Sequence, residues 1–286
     1  MEQEYTIKRL DFSNPIDMQK LVDLQNTVYA GRFVFNNNTL KYWYLDNPNG
    51  KVVSFNAFYG EIIAAHYAII PVKMEIEGRV TLGLLSMATV THPEHRGKGL
   101  FKRLAQMSYD YAAVNGFEFV IGVANANSYP GFIKYFDFQD VGMLDVLIGC
   151  SRKIQAEKDK TFRMYWSKET IQWRLGRKKY SKDANAVYGK HSVWKFKSAP
   201  LLHTFMGHLS KDMLDCLDIS KTGHLIRPFN LYVGLGSNAR KLGYKDVPIF
   251  IKRSPFHLIF LDLTNGKLPK MTKENVFFQL MDFDVA

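Results

Sequence analysis

Between Val52 and Thr91 the chain runs through three apolar stretches, Val52–Tyr59, Ile62–Ile76 and Thr81–Thr91, punctuated by Gly60 and Gly78. Runs of this length and composition, broken by glycine, predict successive strands of one sheet. The period then changes. Gly97–Val114 places Leu100, Leu104, Met107 and Tyr111 on one face of a helix. Phe117–Val123 predicts a strand, Ser128–Phe136 a short helix and Phe138–Ile148 a strand. Upstream, Glu4–Leu10 alternates as a strand does, and Asn14-Pro15 opens a helix over Ile16–Tyr29. Asn38–Leu45 predicts a shorter helix that stops before Pro48, in the turn Asn47-Pro48-Asn49-Gly50. This order predicts an α/β fold with a mixed sheet.

The 286 residues suffice for one large core or two smaller ones, and 21 Phe with 15 Tyr exclude a disordered chain. The N-terminus lacks an apolar signal core, and the longest apolar run, Ile62–Val72, falls short of the ~20 residues that span a bilayer. Cys150 and Cys216 are the two cysteines; they point to a reducing, cytoplasmic location and leave one bridge open. The net charge of +11 is unevenly spread. Residues 1–150 carry 13 basic and 15 acidic side chains, a net of −2, whereas residues 151–286 carry 25 and 12, a net of +13. Two units with different partners are expected, 1–150 and 151–286, joined through the basic stretch Ser151–Arg163.

The second unit echoes the first in short matches. Leu40-Lys41-Tyr42-Trp43 resembles Ile171-Gln172-Trp173, Asn56-Ala57-Phe58-Tyr59-Gly60 resembles Asn185-Ala186-Val187-Tyr188-Gly189, and Phe138-Gln139-Asp140-Val141 resembles Tyr244-Lys245-Asp246-Val247. The spacing between copies shrinks from 130 to 106 residues. Either these matches are chance, or the second unit is a shortened copy that has lost the segment matching Arg96–Gly99.

The segment Thr89-Val90-Thr91-His92-Pro93-Glu94-His95-Arg96-Gly97-Lys98-Gly99-Leu100-Phe101 joins a strand to a helix through a basic glycine turn. Such a turn aims backbone N–H groups outward at a helix N-terminus, where they and the helix dipole hold phosphate. The plainer alternative is a tight turn with exposed basic residues. A Walker loop is excluded because Gly99, not Ser or Thr, follows Lys98, and the dinucleotide pattern fails because Lys102 stands at its third glycine.

This segment resembles the signature of the GNAT acetyltransferase superfamily, Arg/Gln-x-x-Gly-x-Gly/Ala after a strand. Pro93, Arg96, Gly97 and Gly99 match, while Glu94 and Phe101 depart from it. Asn125-Ala126-Asn127-Ser128 and Lys134-Tyr135-Phe136-Asp137-Phe138 resemble the asparagine after the fifth strand and the closing Gly-Phe, with Asp137 for the glycine. The resemblance covers residues 1–150. It implies a mixed, mostly antiparallel sheet flanked by helices, followed by a smaller α/β domain that is degenerate if the repeat is real. It further implies acetyl-CoA as cosubstrate, with pantetheine along Thr89, Val90 and Thr91, pyrophosphate on Arg96, Gly97, Lys98, Gly99, Leu100 and Phe101, and Asn125 near the thioester.

The implied reaction is attack of an amine on the thioester, with a proton for the leaving thiolate. The family's usual tyrosine acid falls at Phe132, so the candidates are its helical neighbours Tyr129 and Tyr135, each of which could equally be a packing aromatic. His66 is a candidate base, although a lone histidine on an apolar strand is more often structural. His92 and Glu94 flank the phosphate turn, and Asp282 and Asp284 sit in the C-terminal segment. The histidines show no metal spacing, so no metal is expected. Trp43 and Trp173 read as core anchors. The leading expectation is a small-molecule amine acceptor, with a protein amine or a longer acyl group as the enzymatic alternative. The different-class alternative is nucleic-acid binding through Arg174, Arg177, Lys178, Lys179, Tyr180 and Lys182, where a solvated surface is the commoner meaning.

Overall fold

Asn14 and Pro15 start the first helix, α1 (Pro15–Tyr29): the Asn14 carboxamide accepts from the Ile16 N–H at 2.9 Å, and proline occupies a position where a helix has no use for a donor. These contacts come from a computed structural model, which describes residues 4–29, 34–175, 186–189, 192–199, 202–215, 228–248 and 255–283. The second helix, α2 (Asn37–Tyr44), is capped by Asn36, whose side chain accepts from Thr39 N–H at 2.9 Å.

Strands β1 (Thr6–Lys8), β2 (Val53–Tyr59), β3 (Ile62–Ile76) and β4 (Arg79–Thr91) pair antiparallel in that order. Helix α3 (Leu100–Val114) then crosses over, and β5 (Phe119–Asn125) joins β4 in parallel. Helix α4 (Tyr129–Tyr135) and strands β6 (Gln139–Met143) and β7 (Asp145–Gly149) follow. Side-chain alternation divides the sheet between two cores. On one face Leu85 and Ile121 pack with Leu21 and Leu24 of α1 and Leu40 and Trp43 of α2. On the other, Leu84 and Val120 pack with Leu104 and Tyr109 of α3 and Phe132 and Phe136 of α4.

Two differences from the sequence reading go beyond a shift of two residues at an element's end. Helix α3 begins at Leu100 rather than Gly97, because Gly97 and Gly99 hold left-handed φ values of 75° and 70° that no helix continues. The stretch 138–148 is two strands, parted at Leu144, whose N–H bonds to the carbonyl of Phe256 at 2.8 Å.

That break directs the chain into its second half. There the elements are β8 (Phe162–Met164), α5 (Lys168–Leu175), β9 (Ala186–Gly189), β10 (Ser192–Ala199), β11 (Leu202–His208), a short helix at Lys211–Leu214, β12 (Phe229–Leu235), β13 (Lys245–Asp246), β14 (Phe256–Asp262) and β15 (Val276–Gln279). Their order follows that of β1 to β7: a strand, a helix, antiparallel strands, a helix, and then a strand returning in parallel. Here β12 returns beside β11, as β5 does beside β4. The two halves exchange strands. β14 lies between β5 and β6 of the first half, whereas β7 pairs with β12 and β13 of the second. The described strands therefore form one mixed, mostly antiparallel sheet of 15 strands.

Helices α2 and α5 meet across the pseudo-repeat that the sequence matches proposed. Tyr42 stacks on Trp173 at 5.1 Å, Trp43 meets Trp173 edge-on at 5.3 Å, and Trp173 Nε1 donates to the carbonyl of Tyr42 at 3.1 Å. Each aromatic contact adds ~0.5–1.5 kcal/mol beyond burial. Arg174 is buried over the Trp43 ring, so it belongs to this interface rather than to a basic surface. The rest of its cluster, Arg177 to Lys182, lies outside the described residues, as do Asn185, Cys216 and Asp284. Cys150 is exposed. No described helix is long and apolar enough to cross a membrane.

Candidate functional site

β4 and β5 stay paired over three residues only, Leu84 with Val120, Leu85 with Ile121 and Ser86 with Gly122. Beyond Gly122, β5 continues against β14, and beyond Ser86, β4 continues against β3. The two strands thus split, each keeping its outer neighbour and freeing its inner edge. A bulge on β4 sharpens the split: Ser86 opposes Ile69 and Ala88 opposes Ala68, leaving Met87 without a register partner. Thr89, Val90 and Thr91 pair with Tyr67, His66 and Ala65 on one side and present their other edge to the opening.

The glycine turn stands at the mouth of this split. After β4, Pro93–His95 forms a 3-10 turn anchored from beneath: His95 is buried, its Nδ1 lies 2.8 Å from Tyr5 Oη, and its ring packs on Tyr59 at 4.9 Å. Arg96, Gly97, Lys98 and Gly99 are exposed. A Cβ built on Gly97 or Gly99 meets nothing within 4 Å, so both left-handed residues border open space at the N-terminus of α3. This backbone suits an anion. Leu100 is buried and offers only its N–H. Phe101, which departs from the family pattern, turns inward and packs edge-on against Tyr67, Phe132 and Phe136, leaving the turn unobstructed.

Asn125 ends β5, and its side-chain oxygen accepts from the N–H groups of Asn127 and Ser128 at 3.0 and 3.1 Å, shaping the entry to α4. Tyr129 donates to Asp140 at 2.9 Å and its ring lies 4.2 Å from that of His257; the bond to Asp140 raises its pKa. Tyr135 is exposed, with the Lys102 ammonium 5.0 Å from its ring centre, on the first turn of α3. Phe132 is buried in the core.

His66 is structural. Its Nδ1 lies 2.6 Å from Asn56 Oδ1 and its Nε2 2.9 Å from Tyr44 Oη, it is fully buried, and burial pushes its pKa down to about 3. His92 accepts from Glu94 N–H at 3.4 Å beside the turn. Asp282 is buried in the second half, accepting from Trp166 Nε1 at 3.0 Å and from Gln279 N–H at 2.8 Å. Among the described residues no cluster of His, Cys, Asp and Glu is arranged for a metal.

Sequence reasoning passed over three hydroxyls. Ser86, the last paired residue before the split, lies 3.0 Å from Tyr67 Oη, which lies 2.7 Å from Tyr109 Oη. Burial pushes the Tyr67 pKa up to about 12 and raises that of Tyr109 too. The available signal was a serine inside the otherwise apolar run Leu84–Ala88.

The second half has a matching split with different contents. β11 and β12 pair at Leu202–Phe229, His203–Asn230 and Thr204–Leu231, and then part. β15 takes the vacated edge of β12, Gln279 opposite Gly234 and Phe278 opposite Leu235. The Gln279 carboxamide reaches across to β11, accepting from His208 N–H at 2.7 Å and donating to its carbonyl at 3.4 Å.

Residues 11–140 match the family model described as the acetyltransferase (GNAT) domain. This part of the chain is a GNAT acetyltransferase domain. Solved structures share its GNAT fold over both halves. A conserved protein of unknown function from Enterococcus faecalis, described as a probable N-acyltransferase, superposes with a TM-score of 0.59 at 11% identity, over 91% of this chain and 73% of that one. A GCN5-related N-acetyltransferase from Kribbella flavida gives 0.58 at 10% identity, over 90% and 70%. The N-myristoyltransferase of Saccharomyces cerevisiae with bound myristoyl-CoA gives 0.55 at 8% identity, over 90% and 79%. No curated protein matches the sequence.

Proposed function

We propose that this GNAT protein moves the acetyl group of acetyl-CoA to an amine on a small, negatively charged acceptor. The observation that carries the cofactor half of this reading is the pair of left-handed glycines bordering open space at the N-terminus of α3, beside the β4/β5 split. Pyrophosphate oxygens would take N–H groups from Arg96 to Phe101, with Arg96 and Lys98 adding charge. Pantetheine amides would pair with the free edge at Thr89–Thr91. The thioester would then lie near Ser86, Met87 and Asn125, where the amine attacks its carbonyl and the thiolate leaves. Tyr129 or Tyr135 would supply the thiolate's proton. Tyr129 keeps its proton at neutral pH but has already given its hydrogen bond to Asp140, so it must exchange partners to act. Tyr135 is free of that constraint.

The second half would bind no cofactor, because β15 holds the matching split. The acceptor's charge is read from the imbalance between −2 in residues 1–150 and +13 in the remainder, which favours anions. The test has two arms. Calorimetric titration with acetyl-CoA reports binding, and thiol release across a panel of amines reports transfer. A myristoyl-CoA complex occurs among proteins of this fold, so a series of acyl-CoAs of increasing length belongs in the same assay. Failure of every acyl-CoA to bind would remove the reading; turnover only with long acyl chains or peptide amines would redirect it.

A further inference from the structure

We propose that Ser86 is a catalytic hydrogen-bond donor, aimed at the thioester carbonyl by Tyr67 and Tyr109. This inference rests on the transferase reading above and adds a residue to it. Its first ground is position. Ser86 is the last β4 residue held by β5, it precedes the bulge at Met87, and it is half-buried where the strands part. Opposite stands Gly122, on which a built Cβ would come within 3.1 Å of Ser86 Cβ, so glycine there keeps the apex narrow with the serine against it.

The second ground is the direction in which the hydroxyl chain must run. Tyr109 Oη is buried, and Tyr67 Oη is its hydrogen-bond partner. If Tyr67 donated to Tyr109, the Tyr109 proton would be left buried and unpaired, at a cost of ~1–3 kcal/mol. With Tyr109 donating to Tyr67, and Tyr67 donating to Ser86, both buried phenolic protons are used. The Ser86 oxygen then accepts, and its own proton is left to point into the split. Burial raises both phenol pKa values, so the two tyrosines orient Ser86 without giving up protons. They are positioning residues.

In the reaction, the amine nitrogen bonds to the thioester carbon and the carbonyl electron pair moves onto oxygen. The Ser86 O–H strengthens its hydrogen bond to that alkoxide. Collapse re-forms the carbonyl, breaks the C–S bond and releases the thiolate, while the surplus ammonium proton leaves to water. A donor of this kind acts on the transition state more than on bound cofactor, so its removal lowers kcat and spares affinity.

The experiment compares Ser86→Ala, Ser86→Thr, Tyr67→Phe and the double variant Ser86→Ala/Tyr67→Phe, by thiol release and by acetyl-CoA calorimetry. Ser86→Ala is expected to lower kcat by ~10²-fold with the acetyl-CoA Kd unchanged. Ser86→Thr keeps the hydroxyl and retains most activity. Tyr67→Phe alone loses ~10-fold, and the double variant is no slower than Ser86→Ala, since the tyrosine acts only through the serine. Wild-type-like kcat in Ser86→Ala, or losses that multiply in the double variant, overturns the proposal. Failure of the wild-type chain to bind acetyl-CoA would instead strike the transferase reading, so the two failures are told apart.

Discussion

The chain builds the same opening twice and fills one of them with its own strand β15. At β4/β5 the strands part after three parallel pairs, and the glycines at its mouth, Gly97 and Gly99, border open space. At β11/β12 they also part after three pairs, but the glycines there face the chain itself. A Cβ on Gly234 would stand 2.2 Å from the carbonyl oxygen of Phe278, one on Gly236 2.0 Å from that of Val276, and one on Gly207 2.2 Å from Met281 Sδ. The first set borders open space, and the second leaves room for β15 and the turn that follows it. A sheet edge freed by a split needs partners for its N–H and C=O groups. Among the described strands, β4 leaves that edge unpaired beyond Ser86, whereas β12 satisfies it with β15. The difference teaches that a split sheet alone does not make a site; what its glycines face decides.

The largest expected effect tests this contrast through stability. Gly236→Ala forces a side chain into backbone and should cost at least ~3 kcal/mol, whereas Gly99→Ala carries only left-handed strain of ~1–2 kcal/mol. At ~2–4 °C per kcal/mol for a protein of this size, thermal unfolding should separate them by several degrees. Equal losses in Tm would break the comparison.

Ligand affinity sharpens it from the other side. Gly99→Val should weaken acetyl-CoA by ~10²-fold, about 2.7 kcal/mol, by blocking close approach of phosphate to the backbone. Calorimetry should return one acetyl-CoA per chain. Unchanged affinity in the variant would show that the β4/β5 split does not bind the cofactor, and a stoichiometry of two that the filled split does.

A smaller effect belongs to the carboxylate that follows β15. Burial pushes the Asp282 pKa up to about 7 from 3.8. Below pH ~4 the group is protonated in both folded and unfolded chains and contributes no slope. Between about 4 and 7 the unfolded chain ionises first, so stability falls as pH rises, by at most about 1.4 kcal/mol per pH unit; above 7 the slope ends. Urea unfolding at pH 5 and pH 8 should show this decline in the wild type and a flatter profile in Asp282→Asn. Equal decline in both proteins would assign the slope to other groups.

The first half was largely legible in sequence because its signals are local. Glycine and proline punctuate β2 to β4, Asn14-Pro15 starts α1, and the basic glycine turn marks the mouth of the split. The hidden features are long-range. Nothing in residues 138–148 distinguishes one strand from two, since the break at Leu144 depends on Phe256, more than a hundred residues later. The strand exchange and the filling of the second split by β15 are likewise pairings of distant segments that periodicity does not encode. Ser86 escaped notice because its meaning comes from Tyr67 and Tyr109 on other elements. What Gly234 and Gly236 face, the carbonyls of Phe278 and Val276, is likewise visible only in the fold.

The smallest expected effect concerns the acceptor. In the proposed reading acetyl-CoA needs only the few positive charges near the open split, Arg96, Lys98, Lys102 and Arg103, in a half whose net charge is −2. The surplus of +13 lies in the half with the filled split, which binds no cofactor in this reading. If that half walls the acceptor side, its charge gathers anions and repels polycations. An amine on an anionic carrier, such as an amino sugar attached to a nucleotide, should therefore show a higher kcat/KM than a neutral amine. The advantage should shrink as salt rises, because the screening length falls to ~8 Å near physiological ionic strength. Such steering acts on encounter and changes kcat/KM far more than kcat. The decisive measurement is kcat/KM for anionic, neutral and polycationic amines at low and moderate salt. Preference for spermidine at low salt would show that the basic face points away from the acceptor.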